Sequence, residues 1–399
     1  MKTFHPMAES EKEASAPKSI RALQAWKTTQ SRPLVAVIGT RAQLIKMAPL
    51  LRELERRHHP CRLILTGQHH ATMQALLDDF GIAARPEYVY RGREVSGIGR
   101  MALWLPLIVF RLLRRRQRLF RDAAGERALV LVHGDTFSTL AGALAGRLAG
   151  CPLAHVESGL RSFSLLNPFP EELTRLLVFR LTDIAFCPGE WAAGNMAKYP
   201  LEVVDTCHNT LLDSVRLAAR GAGETDAALP ARYCVASIHR FENIFFHRRL
   251  VWIVRAMERI ARDEDVVFVM HPATVRRLEV TGLMPRLADN PRIHLRQRMA
   301  YAAFIRLLRD AAFVVTDGGS NQEELHYLGK ATLLLRNATE RREGLAGRAV
   351  LCRFSDDALV EFLRIARETG SGPAMLPDDV SPCELIANIL QAQGSEGGA

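Results

Sequence analysis

The stretch Leu34–Leu54 reads LVAVIGTRAQLIKMAPLLREL, and the fold follows from it. Its first five residues are a short apolar run rich in β-branched side chains, the composition of a strand buried on both faces. Gly39 then permits a tight turn. Beyond it Leu44, Met47, Ala48, Leu51 and Leu54 recur at intervals that place them on one face of a helix. The same unit returns further along the chain. RLILT, LVLVH, PLAHV and DIAFC are continuous apolar runs, separated by helical stretches such as STLAGALAGRLAG. Continuous apolar strands that alternate with helices bury both of their faces in a parallel sheet, so the sequence predicts a doubly wound α/β architecture.

The second half repeats the arrangement. EVV, YCVASI, VVFVM, RIHL, FVVTD and ATLLL read as its strands, with helical periodicity in HRRLVWIVRAMERIAR and AAFIRLLRDA. At 399 residues the chain exceeds what one core organises, in keeping with two domains. The predicted divisions are a polar extension over 1–31, a first domain over 32–208, a second over 209–385 and a tail over 386–399. The two doubly wound domains are expected to face a cleft, with ligands beyond the carboxyl ends of the strands.

An apolar content of 48% with 24% charged residues describes a soluble globular chain. No apolar run is long enough to span a bilayer, and MKTFHPMAESEKEASAPK lacks the apolar core of a signal peptide, so a cytoplasmic protein is expected. The seven cysteines form no C-x-x-C pair and are read as reduced, buried small hydrophobes. A formal charge of +10 admits nucleic acid, anionic lipid or a small polyanionic substrate. The lack of zinc-finger spacing and of an aromatic-interleaved strand argues against nucleic acid. Arg100–Arg121, RMALWLPLIVFRLLRRRQRLFR, sets an apolar block before a basic one. It is either an interfacial helix on anionic lipid or a buried helix with a charged solvent end; the interruption at Pro106 favours the second.

Chemistry is expected in the loops at the strand ends. After LVAVI, Arg41 and Lys46 flank a helix start whose positive end they oppose, which suits an anion; two solvated surface charges are the alternative. After RLILT, Gln68 and His69 are either ligand donors or ordinary loop polarity, and the adjacent His69 and His70 point apart and make no metal pair. Asp135 follows LVLV in HGDTFSTL, Glu157 follows PLAH in VESGLRSF, and NPFPEELTR adds Glu171, Glu172 and Arg175. Carboxylates gathered in one cleft repel one another, which raises a pKa and supplies a protonated and an unprotonated partner. Taken singly, Asp135 is alternatively an acceptor of backbone amides and Glu171 an exposed first-turn acid favoured by the helix dipole, and Glu172 is read as that ordinary exposed acid. In the second half His239 and Arg240 follow a strand, where His239 carries a proton, holds a phosphate or is a satisfied core histidine. TDGGSNQEE, Thr316–Glu324, is a turn or a phosphate cradle in which Gly318, Gly319 and Ser320 leave the first helical amides open. Arg336, Glu340, Arg341 and Glu343 follow the next strand, with Arg341 placed by topology to meet an anion in that cradle.

In this order GTRxxxIKMAPL, TGQH, HGDT, HVExGLR, PFPEE followed by Arg175, HRxEN and TERxEG resemble the UDP-N-acetylglucosamine 2-epimerase family, from about Leu34 to Gly347. The resemblance implies two Rossmann-like domains of the GT-B type and a homodimer. It implies that the loop of Gly318, Gly319 and Ser320 holds the β-phosphate of UDP, that Glu324 binds the ribose hydroxyls, that Arg41 and Arg341 contact the diphosphate, and that Phe304 packs on the uracil. Asp135, Glu157 and Glu171 become the residues of the chemistry, supported by Lys46, Arg175 and His239, and Gln68 and His69 become regulatory or second UDP-sugar contacts. The implied reaction eliminates UDP to a 2-acetamidoglucal and returns it, giving UDP-N-acetylmannosamine for surface polysaccharide, with no cofactor and no metal. Alternatives are a hydrolysing epimerase, an epimerase of a modified UDP-sugar such as a diacetamido uronic acid, a glycosyltransferase, and a non-catalytic nucleotide-sugar binding protein. Three departures stand out: Ala42 and Gln43 replace a proline and an acid, DGGS replaces DSGG, and HRFEN replaces HRREN. The first two are read as touching phosphate binding.

Overall fold

A computed structural model describes residues 32–392 apart from 68–72, 93–97, 166–168, 222–228, 340–343, 346, 370–375 and 377–379. The first sheet contains β1 (Leu34–Ile38), β2 (Cys61–Leu65), β3 (Glu87–Tyr88), β4 (Leu129–His133), β5 (Leu153–Val156), β6 (Ile184–Cys187) and β7 (Glu202–Asp205). Its spatial order is β3-β2-β1-β4-β5-β6-β7, and every pairing is parallel. The second sheet contains β8 (Tyr233–Ser237), β9 (Asp265–Met270), β10 (Ile293–Gln297), β11 (Val314–Thr316), β12 (Thr332–Leu334) and β13 (Ala349–Leu351). Its order is β10-β9-β8-β11-β12-β13, again parallel throughout.

All of β1 is buried, and the helix Arg41–Arg56 lays Leu44, Met47, Leu51 and Leu54 against the core, as the spacing in Leu34–Leu54 requires. In each sheet the winding reverses beside the first strand, between β1 and β4 and between β8 and β11. Such a switch point parts the two loops that leave adjacent strands, and the crevice between them is where an open α/β sheet binds its ligand.

The chain divides into two compact units, one running to Asp213 and taking in the residues from Val380, the other Ser214–Asp379. Three details differ from the sequence expectation. EVV belongs to β7 at the edge of the first sheet rather than to the second. The division falls within the helix Leu211–Arg220 instead of at 209. Residues 382–392, split in the sequence reading between second domain and tail, form one helix on the first unit. Asp213 Oδ2 accepts from Cys383 N at 2.9 Å and Ser381 Oγ at 3.0 Å, and Arg57 Nη1 reaches Asn388 Oδ1 at 2.5 Å. An amphipathic helix records which of its faces is buried, not which sheet buries it.

The cysteines are unbridged, six buried and Cys207 exposed. Among the described residues no helix is long and apolar enough to cross a membrane, and no cluster of three or more His, Cys, Asp or Glu could hold a metal.

Candidate active site

At the first switch point Thr40 caps the helix Arg41–Arg56 in a reciprocal box with Gln43. Gln43 Oε1 accepts from Gly39 N at 2.9 Å and Thr40 N at 3.1 Å, while its Nε2 donates to His133 O at 2.7 Å and Thr139 Oγ1 at 2.9 Å. The amide thereby fastens the end of β1 to the end of β4. A carboxylate has no N–H to do this. The departure at Gln43 thus faces the interior rather than a phosphate, while Ala42 is exposed. Gly39 is required by close approach: a Cβ there would lie 1.7 Å from Ser138 Oγ. Arg41, half-buried, is the first residue of the helix.

Lys46 is no solvated charge. It is buried, and its Nζ lies 2.5 Å from Glu157 Oε1, an oxygen that also accepts from Asn209 Nδ2 at 2.6 Å. The other oxygen of Glu157 lies 3.3 Å from His133 Nε2. Burial pushes His133 down to about 4, against the pull of Glu157, so the ring is neutral at pH 7. Glu157 itself has φ of +60°, a left-handed conformation that costs energy in a non-glycine residue and recurs at functional sites. His155, also held near 4 by burial, donates Nε2–H to Gly134 O at 2.8 Å and so steadies the loop that carries Asp135.

Asp135 Oδ2 is 2.5 Å from Arg175 Nη2. The same guanidinium reaches Glu172 Oε2 at 3.2 Å, and Glu172 also accepts from Ser162 N at 3.0 Å and from Arg161 Nε. Glu172 is fully buried, which overturns its reading as an exposed first-turn acid. Burial opposes its ionisation, but the Ser162 amide and the two arginines outweigh this and hold the carboxyl below its ordinary range. Glu171 lies four residues before Arg175 on the helix Glu171–Leu181, hence on the same face. Among the described residues its buried Oε2 has no hydrogen-bond partner, which leaves it open hydrogen-bonding capacity. In place of mutual repulsion, Glu157 and Asp135 each have a cation.

The second switch point is organised by Asp317, a fully buried carboxylate at the end of β11. Its Oδ1 accepts from His239 N at 3.0 Å, and its Oδ2 from Arg240 N at 2.9 Å and Asn243 Nδ2 at 2.9 Å. Asp317 thus ties the loop after β8 to the glycine loop. His239 Nδ1 lies 3.4 Å from Asp317 Oδ1, and its side chain is 43% exposed, so it is not a core histidine. The helix Gly319–Tyr327 begins after Gly318 with no side-chain cap and no acid in its first turn. A Cβ on Gly318 would meet Asn321 Oδ1 at 2.4 Å and His239 Cε1 at 3.2 Å. Ser320 is half-buried in the first turn; Glu324 is buried and accepts from Asn321 Nδ2 at 2.8 Å. Phe304 is half-buried on the helix Tyr301–Asp310. Gln68, His69, Glu340, Arg341 and Glu343 lie outside the described residues.

Residues 52–378 match the family model described as UDP-N-acetylglucosamine 2-epimerase. The chain belongs to the UDP-N-acetylglucosamine 2-epimerase family. The UDP-N-acetylglucosamine 2-epimerase of Bacillus subtilis is 30% identical over 341 residues, covering 83% of this chain and 86% of that protein. The UDP-2,3-diacetamido-2,3-dideoxy-D-glucuronate 2-epimerase of Pseudomonas aeruginosa is 30% identical over 344 residues, 83% of this chain and 91% of that one. The crystal structure of Methanocaldococcus jannaschii UDP-GlcNAc 2-epimerase in complex with UDP-GlcNAc and UDP matches with a TM-score of 0.74 at 25% identity, over 90% of this chain and 99% of that chain. Membership makes the chain an enzyme of the epimerase class.

Sequence reasoning passed over three structural members of this epimerase. Asn209 bonds Glu157, Asp317 ties two loops, and Glu172 anchors Arg161 and Arg175. Asp317 had a local signal, an acid at a strand end directly before paired glycines. Asn209 had none, because Glu157 lies 52 residues away, and of the partners of Glu172 only Arg175 is close in sequence, while Arg161 and Ser162 lie across a loop.

Proposed function

We propose that this epimerase converts UDP-N-acetylglucosamine into UDP-N-acetylmannosamine by detaching UDP and returning it to the same carbon. The observation that carries the proposal is the pair Asp135 and Glu157 at neighbouring strand ends of the first unit, each with a cation, together with Glu171, whose helix brings Arg175 onto Asp135 and which has an unused buried oxygen. The proton on C2 of the sugar is not beside a carbonyl, so its direct removal would leave an unstabilised carbanion. Breaking the anomeric C–O bond first avoids this. The bonding pair leaves with UDP, a carboxylate takes the C2 proton, and the C–H pair becomes the C1–C2 double bond of a 2-acetamidoglucal. Returning UDP to C1 while a proton is delivered to the opposite face of C2 gives the epimer.

Each step has a candidate group. Departing UDP gains negative charge, which suits the uncapped amides after Gly318, together with Arg41, His239 and Arg341. Lys46 and Asn209 hold one oxygen of Glu157 and Arg175 holds one oxygen of Asp135, which fixes both carboxylates in place for proton transfer. Glu171 Oε2 has hydrogen-bonding capacity left for a sugar hydroxyl or a proton. Glu324 and Phe304 are proposed for the ribose and the uracil. Because Gln43 turns inward onto β4, that departure does not itself argue for a different sugar.

Proton NMR of the purified enzyme with UDP-N-acetylglucosamine in D2O tests the proposal. Deuterium at C2 of UDP-linked sugars is the expected result. Release of free N-acetylmannosamine would identify a hydrolysing enzyme, and no exchange at C2 would reject this substrate.

A further inference from the structure

The helix Glu171–Leu181 opens with two acids whose surroundings differ. Glu171 Oε2 has open hydrogen-bonding capacity, whereas both oxygens of Glu172 are engaged. Oε1 of Glu172 accepts from Arg161 Nε, and Oε2 accepts from Ser162 N at 3.0 Å and Arg175 Nη1 at 3.2 Å. The Glu172 side chain is wholly buried, so it acts through its neighbours rather than on a substrate. Ser162 belongs to the loop after β5 that also carries Glu157, and its bond to Glu172 pins that loop to the helix of Glu171 and Arg175.

What this does for the reaction follows from the shape of Arg175. A guanidinium is planar and rigid, so the direction of one Nη is set once the other is held. Arg175 places Nη1 on Glu172 and Nη2 on Asp135 Oδ2 at 2.5 Å. Asp135 is the more exposed partner, with 27% of its side chain open to solvent against none of Glu172. The buried acid is the fixed end, and the arginine is the arm that it aims at Asp135. Without Glu172 that long side chain keeps its rotamer freedom and a single carboxylate at the edge of solvent. The charges agree: Arg161 and Arg175 meet Glu172 and Asp135, two against two, so uncharging Glu172 leaves one cation in excess beside Asp135. We propose that Glu172 is a positioning residue for the epimerisation, holding Arg175 so that Asp135 is oriented before the sugar arrives, an inference that rests on the reading of Asp135 as a group of the chemistry.

A double-mutant cycle between Glu172→Gln and Asp135→Asn in the full-length enzyme tests this, read as kcat and KM for UDP-N-acetylglucosamine and as UDP affinity by calorimetry. Glu172→Gln keeps the shape of the side chain and should lower kcat by at least about tenfold, with KM and UDP affinity within about twofold of wild type. In the Asp135→Asn background the same change should cost no more than about twofold, because the group it positions is already lost. Arg161→Met/Glu172→Gln removes the buried pair together, so that no unpaired cation is left to disturb folding, and should show the same loss of kcat. Equal factors in both backgrounds, near-normal turnover of Glu172→Gln, or loss of UDP affinity in both Glu172 variants overturns the proposal. So does recovery of turnover in Arg161→Met/Glu172→Gln, which would reduce Glu172 to a counterion of Arg161. The underlying reading fails on different results: a wild type without exchange at C2, or Asp135→Asn with near-normal turnover, rejects the site and this proposal with it.

Discussion

Glu157 combines a left-handed backbone, a lysine and an asparagine on one oxygen and a neutral histidine beside the other. A group held so closely is already oriented before substrate arrives, and the same holds for Asp135 under Arg175. Amide replacement keeps the shape of these side chains and removes the charge or the proton. Glu157→Gln, Asp135→Asn and Glu171→Gln should each lower turnover by at least about a hundredfold with modest change in UDP affinity. Steady-state kinetics and calorimetric UDP binding measure the two quantities, and near-normal turnover in all three variants would reject the site. Asp135 and Glu157 were legible in the sequence because strand ends are local features. Glu172 was not, since it is buried against Arg161 and Ser162, eleven and ten residues earlier in the chain.

The strand-end loop is the element that organises both units. Gln43 ties the ends of β1 and β4, and Asp317 ties the loops that follow β8 and β11, so each switch point is spanned by one buried polar side chain. Asp317→Ala would leave the amides of His239 and Arg240 without their acceptor and take from Asn243 Nδ2 one of its two, the other being Leu335 O. The glycine loop should then lose its orientation, and the dissociation constant for UDP should rise by at least about tenfold. Asp317→Asn, which keeps one acceptor oxygen, should have the milder effect. Unchanged UDP affinity in the alanine variant, read by calorimetry, would show that the tie is irrelevant to binding.

For the molecule as a whole, His133 and His155 link stability to pH. Both titrate near 4 in the folded chain because burial disfavours the imidazolium, against an ordinary value of 6.5. As pH falls the unfolded chain therefore takes up protons first. Their contribution is fully present above pH 6.5 and is lost between 6.5 and about 4, on the order of 1.4 kcal/mol per pH unit for each. The urea midpoint should fall from pH 7 to pH 5, and His155→Gln should flatten that fall. A midpoint that holds steady in the wild type over this span would refute the linkage.

The sequence by itself determined the parallel, doubly wound architecture, because apolar runs, turn glycines and helical periodicity are all local, and with it the loops in which Asp135, Glu157, His239 and Gly318 stand. Tertiary structure alone decided which charges meet. Lys46 finds Glu157 across 111 residues and Arg175 finds Asp135 across 40. It also decided that EVV joins the first sheet, that the last helix packs on the first unit, and that Leu103, Leu107 and Phe110 face outward. The physical reason is the same in each case. Periodicity records that a face or a charge must be satisfied, whereas the neighbour that satisfies it is supplied by parts of the chain far away in sequence.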